Sequence, residues 1–405
     1  MDKKNVSFVY KNIVVGGVQT LLLRLSKALI ESGNKVSIYY NTIYANGTEA
    51  YTRYGIDLYK YEGDIPKSFN DDFGTQFIIT FEPEIYIKLV INNYKNRKNK
   101  NRIFLYSVHP YTFEYFYNGC KYKIIKKIFH KTYYSFVKKS VEAGFVFFMD
   151  EQCLNSTSKE FLLKNDNNYV NDCILRIIMP TNGNYSCRNK EKTGIDILTV
   201  SRADFPFKGY IKGLVQVVSS IKSEGYDVRL KIITAGNEIN KVRDWCNDIS
   251  NIEILDNIKY EELPNYYRES DIYVGMGTTI LEAAAEGIIA IPVSPYTYEC
   301  NSHGLFCDKP NWILTEIGEG KSINELIKQI VTLNKEEKNN LQMKMINSVY
   351  NLYCIENVLK QLNKLLSYKI DVRKQYKILP FGYIYFLKTK KIIRKFIKRR
   401  SVNGK

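Results

Sequence analysis

The sequence predicts an α/β protein of two domains, each a parallel sheet wrapped by helices, followed by a basic C-terminal tail. Three observations predict it. The N-terminus reads strand, glycine turn, helix, strand; a polar break follows Pro180; and the same alternation then restarts at Ile195. At 405 residues the chain exceeds one ordinary core, which agrees with two domains of similar mass.

The first domain opens with apolar Val6 to Val9 and Ile13 to Val15, then Gly16-Gly17, then a helix with Leu22, Leu25 and Leu29 on one face. Gly33 ends that helix and Val36 to Tyr40 gives the next strand, completing a βαβ unit. Further strands are predicted at Phe77 to Phe81, Ile103 to Val108 and Gly144 to Met149. The segment from Pro180 to Gly194, rich in Thr, Asn, Gly, Ser and Lys, reads as an exposed linker. Five strands then alternate with helices: 195–200, 228–234, 251–255, 272–274 and 288–293, with helices at 211–224, 241–249, 261–269 and 278–285. Expected boundaries are 1–185, 190–350, a closing helix at 351–368 and a tail at 369–405.

Composition narrows the class. Apolar residues at 45% and charged residues at 25% are globular values, which excludes a disordered chain. The eight cysteines form no CxxC pair and lie near no histidine set, so they are expected as reduced thiols with no metal site. No signal peptide is expected from Met1 to Val15, and the longest apolar run, the ten residues from Ile378 to Leu387, is too short to span a bilayer. The net charge is +17, and thirteen Lys or Arg residues from Lys369 onward against the single acid Asp371 account for about +12 of it. Nucleic-acid binding is the rival such a charge raises, but no recognition motif accompanies it.

Three segments carry residues suited to chemistry. Val274-Gly275-Met276-Gly277-Thr278-Thr279-Ile280-Leu281-Glu282-Ala283 places a glycine turn between strand and helix, where backbone N–H groups form an anion site. Glu282, expected on the first turn of that helix, is suited to accept ribose hydroxyl protons. Ser201-Arg202 and Phe207-Lys208-Gly209 follow the first strand of the second domain, where two cations can neutralise a diphosphate leaving group.

Taken in order, Gly16-Gly17, V-S-R, F-K-G and G-M-G-T-T-I-L-E-A resemble the family-four, glycogen-synthase-like GT-B glycosyltransferases, including those that build bacterial surface polysaccharides. The resemblance covers roughly residues 1 to 365. It implies a GT-B fold of two facing Rossmann-like domains, acceptor mainly on the first, donor nucleotide mainly on the second, and retention of anomeric configuration. By that likeness Arg202 and Lys208 match the pair holding the donor diphosphate, Glu282 the ribose-binding glutamate, and Gly16 and Gly17 the loop approaching the donor phosphates. Gly275, Met276, Gly277, Thr278 and Thr279 match the donor-binding turn. The family's first glutamate, separated from the second by seven residues, would fall at Val274 and is missing, which keeps a silent relative or one with epimerase- or phosphorylase-like chemistry in view. His109, after the strand at 103–108, sits where a first-domain residue faces the donor sugar. No metal and no cofactor are expected beyond a nucleotide-sugar co-substrate, UDP- or GDP-linked.

Two tracts alternate cations with apolar and aromatic residues: Lys121 to Lys139, including Lys126 and Lys127, and the tail with Lys390, Lys391, Arg394 and Lys395. At about 1 kcal/mol per basic residue near anionic lipid, such tracts suit peripheral attachment to the inner face of a cell membrane. A polyprenyl-linked saccharide or glycan acceptor would lie within reach there.

Overall fold

A computed structural model describes residues 4–13, 16–43, 47–69, 76–96, 101–113, 123–163, 172–180, 194–256, 258–367, 375, 377 and 378. The chain divides into two compact units, Met1–Arg176 with Leu359–Lys405, and Ile177–Val358.

The first unit holds β1 (Asn5–Ile13), α1 (Gly17–Glu31), β2 (Lys35–Ile43), α2 (Gly47–Thr52), β3 (Asp57–Lys60), β4 (Gln76–Thr80), α3 (Pro83–Lys95), β5 (Arg102–Ser107), α4 (Lys123–Glu142), β6 (Val146–Phe148) and α5 (Glu151–Phe161). Its six strands lie in the order β3-β2-β1-β4-β5-β6, all parallel. Central strands of a parallel sheet are covered on both faces, and accordingly Val6, Phe8, Val9, Ile78, Ile79 and Phe104 are all buried. The helix α1 turns Leu21, Leu22, Leu25, Ala28 and Leu29 inward. It stops where Gly33 takes φ 84° and Asn34 N–H returns to Leu29 O at 3.0 Å.

The second unit holds β7 (Ile195–Arg202), α6 (Tyr210–Ser223), β8 (Val228–Ala235), α7 (Ile239–Trp245), β9 (Ile252–Asp256), α8 (Leu263–Glu269), β10 (Ile272–Gly275), α9 (Thr278–Ala285), β11 (Ile289–Pro292), the short strands β12 (Asn301–Ser302) and β13 (Lys321–Ser322), α10 (Asn324–Thr332) and α11 (Lys335–Tyr353). Its main sheet runs β9-β8-β7-β10-β11, again parallel throughout. In both sheets the order reverses beside the first strand, between β1 and β4 and between β7 and β10. Open parallel sheets bind ligands at the carboxyl ends of strands flanking such a reversal. The last helix, α12 (Ile355–Ser367), passes from the second unit into the first at Leu359. There Lys364 Nζ lies 2.7 Å from Asp172 Oδ2, and Leu366 O accepts from Arg102 Nη1 at 3.3 Å.

The two parallel sheets follow the sequence reading, with local departures. The opening strand is continuous from Asn5 to Ile13, and residues 14–15 lie outside the described set. The strand β3 was not anticipated; its four residues sit at the sheet edge. The helix expected from 261 begins at Leu263 after a 3₁₀ turn at Tyr260–Glu262, because Pro264, lacking an N–H, suits a first helical turn. The helix expected at 241–249 spans only Ile239–Trp245, and the chain reverses through Asp248 at φ 62°.

The helix α6 carries the loop 296–300 against its side. A Cβ at Gly213 would meet Cys300 N at 2.5 Å and Tyr298 O at 2.7 Å. Gly213→Ala improves helix propensity by about 1 kcal/mol but forces backbone apart, at about 1–3 kcal/mol. We expect net destabilisation, read as a lower Tm in thermal denaturation of the full chain. A raised Tm would show that the loop does not press on this helix.

Candidate functional site

The site is built at the carboxyl end of the second unit's sheet, where β7 and β10 part. These strands pair through Ile272↔Ile197 and Tyr273↔Leu198. Two residues further along β7, the buried Tyr273 phenol reaches across and donates to Val200 O at 3.2 Å. Gly275 makes room for it, since a Cβ there would lie 2.6 Å from the Tyr273 hydroxyl.

Three groups converge on this end. The first is Arg202, the last residue of β7, exposed. The second is Lys208, half-buried in the turn before α6, with its Nζ 4.7 Å from the centre of the Phe207 ring. Gly209 behind it admits Thr297 O, which a Cβ would meet at 2.5 Å, so the turn is pinned from the far side. Desolvation pushes the Lys208 ammonium down to about 7, the Arg202 guanidinium pushes the same way, and Asp204 opposes them. Burial and the neighbouring guanidinium together outweigh the support that Asp204 gives to the charge.

The third group is the start of α9. Only Met276 and Gly277 separate β10 from it, and Gly277 takes φ 77°, open to glycine at no steric cost. Its N–H is already given to Ile313 O at 2.8 Å, and Ile280 N–H turns back to Gly277 O at 3.2 Å. The peptide N–H groups of Thr278 and Thr279 therefore stand at the helix mouth with no acceptor among the described residues, an arrangement that favours an anion. The role expected for Gly277 is thus conformational rather than as a donor. The helix closes with Gly287 at φ 73° and Ile288 N–H on Ala283 O.

Glu282 lies on the second turn of α9, not the first, because the helix begins at Thr278. It lies four positions after Thr278, so both share a face about 6 Å apart along the axis. Its carboxylate accepts from two tyrosines, Tyr260 to Oε1 at 2.9 Å and Tyr267 to Oε2 at 3.2 Å. Val274 is fully buried within β10. The spacing that aligned a missing glutamate with it points into the sheet, and the two-residue connection leaves no loop to carry a carboxylate outward.

In the first unit, Gly16 caps α1 and Gly17 is its first residue, at the carboxyl end of β1. Sequence reading overlooked Glu82, which follows β4 at the same reversal. Its Oε1 accepts from Lys11 N–H at 3.1 Å, and burial raises its pKa. His109 follows β5; Tyr111 N–H donates to its Nδ1 at 3.1 Å, so the neutral ring carries its proton on Nε2. The structure therefore gathers Arg202, Lys208, Thr278, Thr279 and Glu282 in one unit, and places Gly16, Gly17 and His109 in the other.

The side chains of Lys126 and Lys127, on α4, lie outside the described residues, as do Lys390, Lys391, Arg394 and Lys395. Among the described residues no helix is long and apolar enough to cross a membrane, and no cluster of three His, Cys, Asp or Glu forms a metal site.

No protein-family profile matches the sequence, and no curated protein does. Solved structures do match. A glycosyltransferase from Rickettsia africae is 15% identical with a TM-score of 0.61, covering 91% of this chain and 100% of its own. A TarM variant from S. aureus, bound to fondaparinux, α-GlcNAc-glycerol and UDP, is 10% identical with a TM-score of 0.59, covering 90% and 100%. The chain has the GT-B fold. That GT-B architecture extends beyond transferases: a Listeria monocytogenes protein described as a UDP-N-acetylglucosamine 2-epimerase is 11% identical with a TM-score of 0.51, covering 90% of this chain and 97% of its own.

The displaced Lys208 gives a pH signature. A bound diphosphate restores the counter-charge and raises its pKa, so binding takes up a proton above pH 7. Affinity is then full below about 7 and falls up to tenfold per pH unit above it, until the bound-state pKa is reached. Calorimetry of UDP or GDP binding in two buffers of different ionisation enthalpy should show uptake approaching one proton near pH 8, absent in Lys208→Arg. Equal heats for the native chain in both buffers would show that Lys208 is already charged.

Proposed function

We propose that this GT-B chain is a retaining glycosyltransferase, moving a sugar from a UDP- or GDP-linked donor to a glycan or polyprenyl-linked saccharide in surface-polysaccharide synthesis. The observation that carries the reading is the convergence of Arg202, Lys208 and the α9 N–H groups at one sheet reversal, with Glu282 one turn along the same helix. A nucleoside diphosphate has this polarity: an anionic pyrophosphate for the cations and N–H groups, and a diol a few ångströms away for the carboxylate.

In this reading the donor diphosphate lies against Arg202, Lys208 and the peptide N–H groups of Thr278 and Thr279. As the anomeric bond breaks, negative charge grows on the departing phosphate, and fixed donors aimed there stabilise the transition state more than the ground state. The departing phosphate oxygen takes the proton of the acceptor hydroxyl on the same face, so configuration is kept. The first unit supplies the acceptor surface, where His109 offers an Nε2–H donor to a hydroxyl group. The basic tracts around Lys126 and Lys390 hold the protein on anionic lipid, which suits a lipid-linked acceptor.

Thermal-shift measurements against UDP-, GDP-, ADP- and CMP-sugars, followed by mass spectrometry of products with lipid-linked acceptors, test this. Stabilisation by one class and a glycosylated acceptor are expected; a converted nucleotide-sugar without transfer supports the epimerase-like reading, and no response to any nucleotide ends the proposal. Arg202→Ala should lower kcat about 10²–10³-fold with little change in KM, and Lys208→Ala should lower kcat likewise while also weakening nucleotide binding. Glu282→Ala should instead weaken nucleotide binding about 10–100-fold, by loss of charge-assisted hydrogen bonds.

A further inference from the structure

The two tyrosines that donate to Glu282 differ in kind. The Tyr267 side chain is buried, on α8, with its ring edge-on to Tyr273 at 5.8 Å; Tyr273 is itself tied to Val200 O. That phenol has nowhere to move and fixes Oε2 in place. Tyr260 sits on the 3₁₀ turn ahead of α8 with half its surface exposed, and its hydroxyl holds Oε1. One tyrosine is an anchor and the other a removable cap.

A carboxylate has about four lone-pair positions, and an anchored one presents only its outward pair to a ligand. A ribose diol offers two O–H groups side by side, and the Tyr260 hydroxyl stands on the Oε1 side of that pair. The α9 mouth, where the diphosphate would lie, is one turn before Glu282. The base therefore extends the other way, beyond the ribose.

Resting on the nucleotide reading above, we infer that Tyr260 is a specificity-determining residue: its hydroxyl stands in for a ribose hydroxyl on Glu282, is displaced when a ribonucleoside diphosphate binds, and its ring then covers the base. The cap keeps Glu282 satisfied in the empty protein, and binding exchanges one O–H donor for another. Discrimination for ribose over deoxyribose is therefore smaller than the charge on Glu282 alone would give.

The test uses the full-length chain and calorimetric affinities for UDP and GDP and their 2′-deoxy and 3′-deoxy analogues. Tyr260→Phe removes the competing hydroxyl and keeps the ring. It should bind the preferred ribonucleotide about three- to tenfold tighter, leave one deoxy analogue unchanged, and so raise the ribose-to-deoxyribose ratio. Tyr260→Ala loses the stacking surface as well as the competing hydroxyl, so it should weaken the deoxy analogue that Tyr260→Phe leaves unchanged about tenfold and the ribonucleotide by less. Tyr267→Phe, which frees the carboxylate to rotate, should lower affinity for ribonucleotides more than for deoxy forms. The inference is overturned if Tyr260→Phe leaves every affinity unchanged or weakens ribo and deoxy forms alike, or if Tyr260→Ala changes nothing. If native protein binds neither UDP nor GDP, the nucleotide reading itself fails, a result separate from insensitivity to Tyr260.

Discussion

A two-residue connection governs the site. Met276 and Gly277 carry the chain from the end of β10 into α9, and the turn is possible because Gly277 adopts φ 77° and gives its N–H to Ile313 O. This sets where α9 starts, and hence which peptide groups face outward at the sheet reversal. It also sets the phase of the helix, placing Glu282 on the face of Thr278. A longer connection would move the helix mouth away from β7, and with it the relation between the N–H groups and Arg202. The Schellman closure at Gly287 and Ile288 fixes the other end, so α9 has little freedom to slide.

The electrostatics follow from that placement. Lys208 is desolvated beside Arg202, and only Asp204 supports its charge. A protein assembled for stability alone gains nothing from two cations held together without an acid between them. The cost is recovered when an anion arrives, because the fixed donors need no reorientation and the lysine regains its proton. Perturbed lysines of this kind mark sites more often than scaffolding, though structural networks shift pKa values too. Here the perturbation coincides with a helix mouth and a strand reversal, three features at the carboxyl end of one sheet.

Much of this was legible in the chain. Apolar runs in α/β alternation defined both parallel sheets, since strands covered on both faces are apolar throughout and glycines such as Gly33 and Gly287 end the helices. Arg202, Lys208 and Glu282 stood out because each follows a strand or opens a helix in a recognisable string. The tyrosines did not. With 33 in 405 residues, no single tyrosine has contrast in the sequence, yet Tyr260, Tyr267 and Tyr273 position the carboxylate and bridge the diverging strands. Their role depends on three segments meeting, which periodicity does not encode. Val274, where the resemblance expects the family's first glutamate, is buried at the end of β10, and nothing in the sequence supplies a carboxylate in its place.

The two units differ in charge at their corresponding reversals. Beside β7 and β10 stand two cations and a helix mouth; beside β1 and β4 stand the glycine start of α1 and Glu82, a half-buried carboxylate whose pKa is raised by burial. A pyrophosphate is attracted to the first arrangement. Glu82 has an acceptor's chemistry and suits hydroxyl groups, while the neutral His109 tautomer offers an N–H donor to the same class of ligand. One fold, present twice in the chain, has thus been given opposite polarity by a few residues at the ends of equivalent strands. Under the proposed function, that division matches an anionic donor to one unit and a hydroxylated acceptor to the other.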